Sequence, residues 1–111
     1  MTDFDAPQQR ADLDYIVREA RREWIGMSTL VPIALDAVSA DASLDEQARA
    51  LAELTGLLIG HGVVPGDLTA GPDSFVPWPG TRDERAERLA GAVRDLGRLP
   101  VTGEVAWFTT P

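Results

Sequence analysis

GLLIGHGVVPGDLTAGPDSFVPWPG, residues 56–80, decides how this chain divides. The stretch holds the only histidine, six of the ten glycines and four of the eight prolines. It lies between two strong helical patterns and cannot itself stay helical past Gly62. Connections this long inside a small domain are functional or disordered. Val63, Val64, Leu68, Phe75 and Trp78 are too apolar for disorder. The stretch therefore reads as a long ordered loop. Pro65-Gly66 and Pro79-Gly80 read as turns, and Phe75–Trp78 as an extended segment.

Working back from it, Ser43-Leu-Asp-Glu46 has the spacing of a capping box. The helix it opens runs to Gly60, with Leu44, Ala48, Leu51, Leu54, Thr55 and Leu58 on one face. Leu57 and Ile59 widen that face, so the last turns are expected to be enclosed. Gly60 or Gly62 supplies a left-handed stop. Upstream, Leu13, Ile16, Val17, Ala20 and Trp24 form a helical stripe that starts near Ala11. Residues 1–10 then remain as a loose arm with Phe4 tucked in. Gly26–Thr29 breaks the pattern, and Ser28 or Thr29 caps a second helix with Pro32 in its first turn. The alternative is one kinked helix over residues 12–39. Forward of the stretch, Thr81-Arg-Asp-Glu84 is a second capping box. Its helix buries Ala86, Leu89, Ala90, Val93 and Leu96 and stops at Gly97. Val101–Phe108 is an extended tail.

The fold expected is mainly α: a compact bundle of about four helices, the long loop, the tail, and room for one short β-pair, 75–78 against 104–108. At 111 residues the chain is large enough for one core, assigned to residues 11–111.

There are no cysteines, which excludes disulfides and thiolate chemistry, and no lysines, so all ten basic residues are arginine. The opening MTDFDAPQQR is acidic, unlike a signal peptide, and no apolar run reaches membrane-spanning length. A cytoplasmic location is expected. The net charge of −8 is concentrated: residues 23–81 hold eight acids against Arg49 alone, a net −7. That balance argues against nucleic acid and anionic membranes and suits a basic protein partner. The candidate partner-facing residues are Asp36, Asp41, Asp45, Glu46 and Glu53, with Trp78 as an aromatic anchor. Solubility, helix capping and core packing are the plain alternatives for each.

No catalytic, metal or cofactor site is expected. A single histidine cannot build a multi-histidine centre, and His61 is best read as a helix-end residue. The glycines at 56, 60, 62 and 66 follow a helix instead of preceding one, the wrong order for a phosphate loop.

From Gly62 onward, GVVPGDLT, FVPWPG, ERAERL and LGRLP-x-x-GEVAWF resemble a group of small, uncharacterised acidic proteins of GC-rich bacteria. In these a Gly-Asp-Leu-Thr turn, a Trp-Pro-Gly turn and a Gly-acid-apolar-Trp-Phe segment recur. The resemblance spans about half the chain and implies a shared fold, with no functional residue to carry over. Some members are similar to immunity partners of polymorphic toxins. Three functions stay open: a non-enzymatic protein-binding module, sharpest as an immunity or antitoxin-type inhibitor of a basic toxin domain; a structural or oligomerising domain; and a small-molecule binder with its pocket between the helices and the 62–80 connection.

Overall fold

The structure, a computed structural model, describes residue 4, residues 6–69 and residues 74–111. In chain order it comprises α1 (Pro7–Glu19), α2 (Met27–Leu35), α3 (Leu44–Gly60), β1 (Val64–Leu68), β2 (Phe75–Pro77), α4 (Arg82–Leu96) and β3 (Trp107–Thr109). The four helices carry about half of the described residues, as the hydrophobic periodicity implies, and a small antiparallel sheet joins them.

α3 and α4 form the most extensive helix pair. Both begin as their sequences dictate. The Ser43 hydroxyl accepts from the Glu46 N–H at 3.1 Å, and the Ser43 N–H donates to the Glu46 carboxylate at 3.3 Å. Thr81 and Glu84 repeat the arrangement at 3.1 and 2.9 Å. The bond from the Thr81 N–H, followed by the Thr81 side chain beside the same carboxylate, holds the Glu84 carboxyl below its ordinary pKa. Each box satisfies two backbone donors that a helix leaves orphaned. α3 closes on a Schellman motif: Val63 N–H donates to Leu58 C=O at 2.9 Å and Gly62 N–H to Ile59 C=O at 3.0 Å. Gly62 sits at φ 86°, which glycine tolerates without strain.

Leu51, Leu54, Thr55 and Leu58 of α3 meet Leu89, Ala90 and Val93 of α4 in the core, with Ile16, Met27 and Leu30 from the first two helices. Thr55 is buried because its hydroxyl donates back to Leu51 C=O at 2.8 Å. Leu57, expected to be enclosed, is 39 % exposed, because it falls on the stripe with Asp45, Arg49 and Glu53 that α3 leaves to solvent.

Three boundaries differ from expectation. α1 begins at Pro7, a turn before Ala11, so residues 7–10, expected in a loose arm, are helical. Proline suits the first helical position because the missing N–H has no intrahelical partner there. Phe4 is buried, as expected. Trp24 lies beyond the end of α1 and is 45 % exposed, off the buried stripe. The first two helices are separate, but α2 starts at Met27 behind Gly26, without a side-chain cap, and Pro32 falls inside it. The Ser28 hydroxyl instead accepts from the Thr102 N–H at 2.8 Å.

The larger correction concerns the stretch read as a loop. Val64–Leu68 is the central strand of a sheet ordered β2-β1-β3. Phe75–Pro77 pairs with β1 on one side and Trp107–Thr109 pairs with it on the other, so the 75–78 and 104–108 segments never meet directly. Pro65-Gly66 is strand here, although the pair reads as a turn in isolation. Pro65 lies opposite Phe108, whose own N–H and C=O bond to Ile25 at 2.9 and 2.8 Å, so no donor is needed from Pro65 on that side. On the other side Trp78 N–H donates to Pro65 C=O at 3.0 Å, and proline can return no bond. The β1–β2 ladder stops there.

Alternation assigns the two faces of this sheet. Pro65, Asp67, Trp78 and Phe108 face the helices: Phe108 is fully buried, Trp78 is 4 % exposed, and Arg88 of α4 reaches both Asp67 and the Trp78 ring. Val64, Gly66, Leu68, Phe75, Pro77 and Trp107 take the opposite face.

Candidate interaction surface

The acidic residues of the central segment divide into two groups. Asp45, in the first turn of α3, accepts from Arg94 Nε at 2.7 Å and from Arg49 at 3.4 Å. Asp67 on β1 lies 3.7 Å from Arg88. The α4 arginines thus reach into the central acids because α4 packs along α3, which also meets β1. An unbroken anionic patch over residues 23–81, the sequence expectation, is therefore not formed. These pairs are solvent-exposed and add little stability, but they compensate the charge locally.

The second group lies around the α2–α3 corner. Asp36 is the C-cap of α2, exposed, at the negative end of the helix and with no basic residue in the last turn. Asp41, in the intervening turn, accepts from the Ser39 hydroxyl at 2.8 Å. Glu46 serves the capping box and remains exposed. Among the described residues none of these three is ion-paired. Glu53 lies further along α3, on the wall of a cleft of about 500 Å³ that α3 and α4 share. Arg49 and Arg82 line the same cleft, so Glu53 faces mixed charge. Asp73 falls outside the described residues.

Trp78 does not serve as a surface anchor. Its indole Nε1 donates to Asp67 at 3.1 Å, and the Arg88 guanidinium lies 4.0 Å from the ring centroid. A ring held on both polar and π sides inside the fold has no face left for a partner. The sequence suggested exposure because flanking prolines imply a loop, whereas the register places Trp78 inward.

His61 is exposed at the C-cap of α3 and does not line the α3–α4 cleft. The same residues contain no group of three or more histidine, aspartate or glutamate side chains able to hold a metal ion, and no helix long and apolar enough to cross a membrane.

The aromatic side of the sheet was missed by sequence reasoning. Phe75 and Trp107 are half-buried on the face away from the helices, and Trp24 joins them at its border. Ile25 bridges Phe108 and shares its inward side, which turns the preceding Trp24 outward. The signal was present in Trp107-Phe108, two adjacent aromatics that a strand must send to opposite faces.

Comparison of the chain with family profiles, curated proteins and solved structures finds no match.

Proposed function

We propose that this protein is a non-enzymatic binding module that offers its α2–α3 corner to a basic protein. The observation that carries the reading is that Asp36, Asp41 and Glu46 are exposed with no ion pair among the described residues, while the neighbouring Asp45 is neutralised. Asp36 adds weight: an anion at a helix C-terminus opposes the dipole, so the fold gains nothing from it there. Complementary charge speeds encounter and discriminates among partners. The sharpest form is an inhibitor of a basic cytoplasmic protein, of the kind an immunity protein is to its toxin. The resemblance of residues 62–108 is the support for that narrower form. Asp45, Glu53 and Trp78 have no part in the narrowed surface.

The test is affinity capture with wild-type protein and an Asp36→Asn/Asp41→Asn/Glu46→Gln variant. Glutamine at 46 keeps the capping box, so the helix start survives. A basic protein held by the wild type, lost by the variant and released as salt rises supports the reading. Partners retained equally by both proteins refute it.

A second reading, a small-molecule site, draws on the α3–α4 cleft. Its volume of about 500 Å³ falls within the usual ligand range. Against it stand an open mouth and charged walls, with Arg49, Glu53, Arg82, Asp83 and Glu87 in the lining. Thermal stabilisation of the Ala52→Leu variant, with no effect on partner capture, would retire this reading.

A further inference from the structure

The sheet has helices on one face only. On the other, Phe75 and Trp107 flank Gly66 across the strands, with Trp24 at the border. An ideal Cβ on Gly66 would lie 2.6 Å from the Phe75 ring, so the ring is laid down on the bare strand. The result is a half-buried aromatic floor on the face away from the helices, with the end of α1 reaching its border through Thr109.

A second, independent feature adjoins it. Every arginine from residue 49 onward is engaged: Arg49 and Arg94 with Asp45, Arg82 with Asp83, Arg85 with the Thr81 carbonyl, Arg88 with Asp67, and Arg98 with Glu104. Arg10, Arg18, Arg21 and Arg22 have no ion pair or hydrogen-bonded side-chain partner among the described residues. Arg18, Arg21 and Arg22 line a recess of about 380 Å³ with Glu19. Compensation of the α1 dipole accounts for Arg18. It does not account for Arg21 and Arg22, which lie past the helix, where the Ala20 carbonyl already accepts from the Thr110 N–H and the Thr109 hydroxyl, both at 3.1 Å. Those two bonds tie the arginine turn to β3 and bring it beside the aromatic floor. Residues 18–24 carry three arginines and two glutamates, net +1 within a chain of −8.

We infer that the outer sheet face and the Arg21–Arg22 turn together form a docking site for a short acidic segment of a partner protein that also presents apolar side chains. This surface is separate from the α2–α3 corner and opposite in charge. Size limits the occupant. Strands about 4.8 Å apart and at most five residues long give a face on the order of 250 Å², far below the roughly 800 Å² per partner of a standard stable complex. A second copy seated on this face alone is disfavoured on that ground. Addition of a strand at the β2 edge is disfavoured because Pro77 offers no N–H. A nucleic-acid strand would meet the repulsion of the whole chain.

The experiment is selection from a displayed library of random dodecapeptides, followed by titration of the enriched peptide into ¹⁵N-labelled protein. The three indole N–H signals act as internal reporters. Enrichment of acidic peptides bearing aromatic or aliphatic residues is expected, with the Trp24 and Trp107 signals moving and that of Trp78, bonded to Asp67, staying in place. Trp24→Ala and Arg21→Gln/Arg22→Gln should each weaken binding by about thirtyfold, the threshold of a hot-spot loss. An unmoved Trp78 signal in each variant shows that it has folded. The inference is overturned by enrichment of neutral or basic peptides, by no enrichment, or by affinity indifferent to these variants. It is also overturned if protein concentration alone or an oligothymidylate moves the same two signals, since the occupant would then be a second copy or a nucleic acid.

Discussion

Replacing Gly66 by alanine tests the sheet more sharply than any other single change. Gly66 is not among the residues with positive φ, so alanine suits its backbone and the effect is steric. An ideal Cβ would stand 2.5 Å from the Val76 carbonyl oxygen and 2.6 Å from Phe75 Cζ. The ring can swing away, but the carbonyl belongs to the paired strand and moves only if the ladder moves. Overpacking of this kind costs about 1–3 kcal/mol, and the lower entropy of an unfolded alanine chain returns about 0.4–1. A net loss of about 1–2 kcal/mol follows, or a fall of roughly 4–8 °C in Tm for a domain of this size. Urea unfolding followed by tryptophan fluorescence should show a lower midpoint at unchanged slope. In a Phe75→Leu background the penalty should shrink without vanishing, because the Val76 oxygen remains. A Gly66→Ala midpoint equal to or above wild type would refute the β1–β2 register and the floor built on it.

Gly91, in the middle of α4, is the converse case: nothing lies within 4 Å of its ideal Cβ. Gly91→Ala should raise stability by about 0.5–1 kcal/mol, read from the same urea curve. Glu104 sets the response to acid. Two 2.7 Å bonds from Arg98, and a further bond from the Val101 N–H, lower its pKa to about 2. A depressed carboxylate contributes stability above its unfolded value, near 4.5, and loses it as pH falls through the folded value. Between pH 5 and pH 2, measured by chemical denaturation, Glu104→Gln should therefore decline less steeply than wild type. Parallel curves for the two proteins would show that the Arg98 clamp is not linked to folding.

The helices were legible because their signals are local. The two capping boxes, the αL glycine after α4 and the 3.6-residue stripes need no knowledge of what packs opposite. Strand β1 was illegible for the opposite reason. Val64-Pro-Gly-Asp-Leu68 has a turn's composition, and only Ile25, which takes up the hydrogen-bonding groups of Phe108, lets Pro65 sit opposite Phe108 without a donor. The charge reading failed at the same level. Eight acids against one arginine is a fact about residues 23–81 as a string. Arg94 meets Asp45 across 49 positions, a pairing no window on the sequence contains. Trp24 and Trp78 exchanged roles, since a helical stripe suggested burial for one and flanking prolines suggested exposure for the other, whereas strand alternation decides both.

The bridge between Ile25 and Phe108 has a consequence for how the protein is made. The two residues are separated by most of the chain, and β1 acquires its second neighbour only from residues 107–109. A ribosome elongating this polypeptide would release the first three helix-forming segments well before the clasp that fastens them. Until then Met27, Leu30 and Val63, which the finished fold seals from water, lack part of their cover, a condition that invites chaperones. Folding of the whole must therefore wait on synthesis of the Trp107-Phe108 pair, and interruption just upstream of it would leave helices without a settled arrangement.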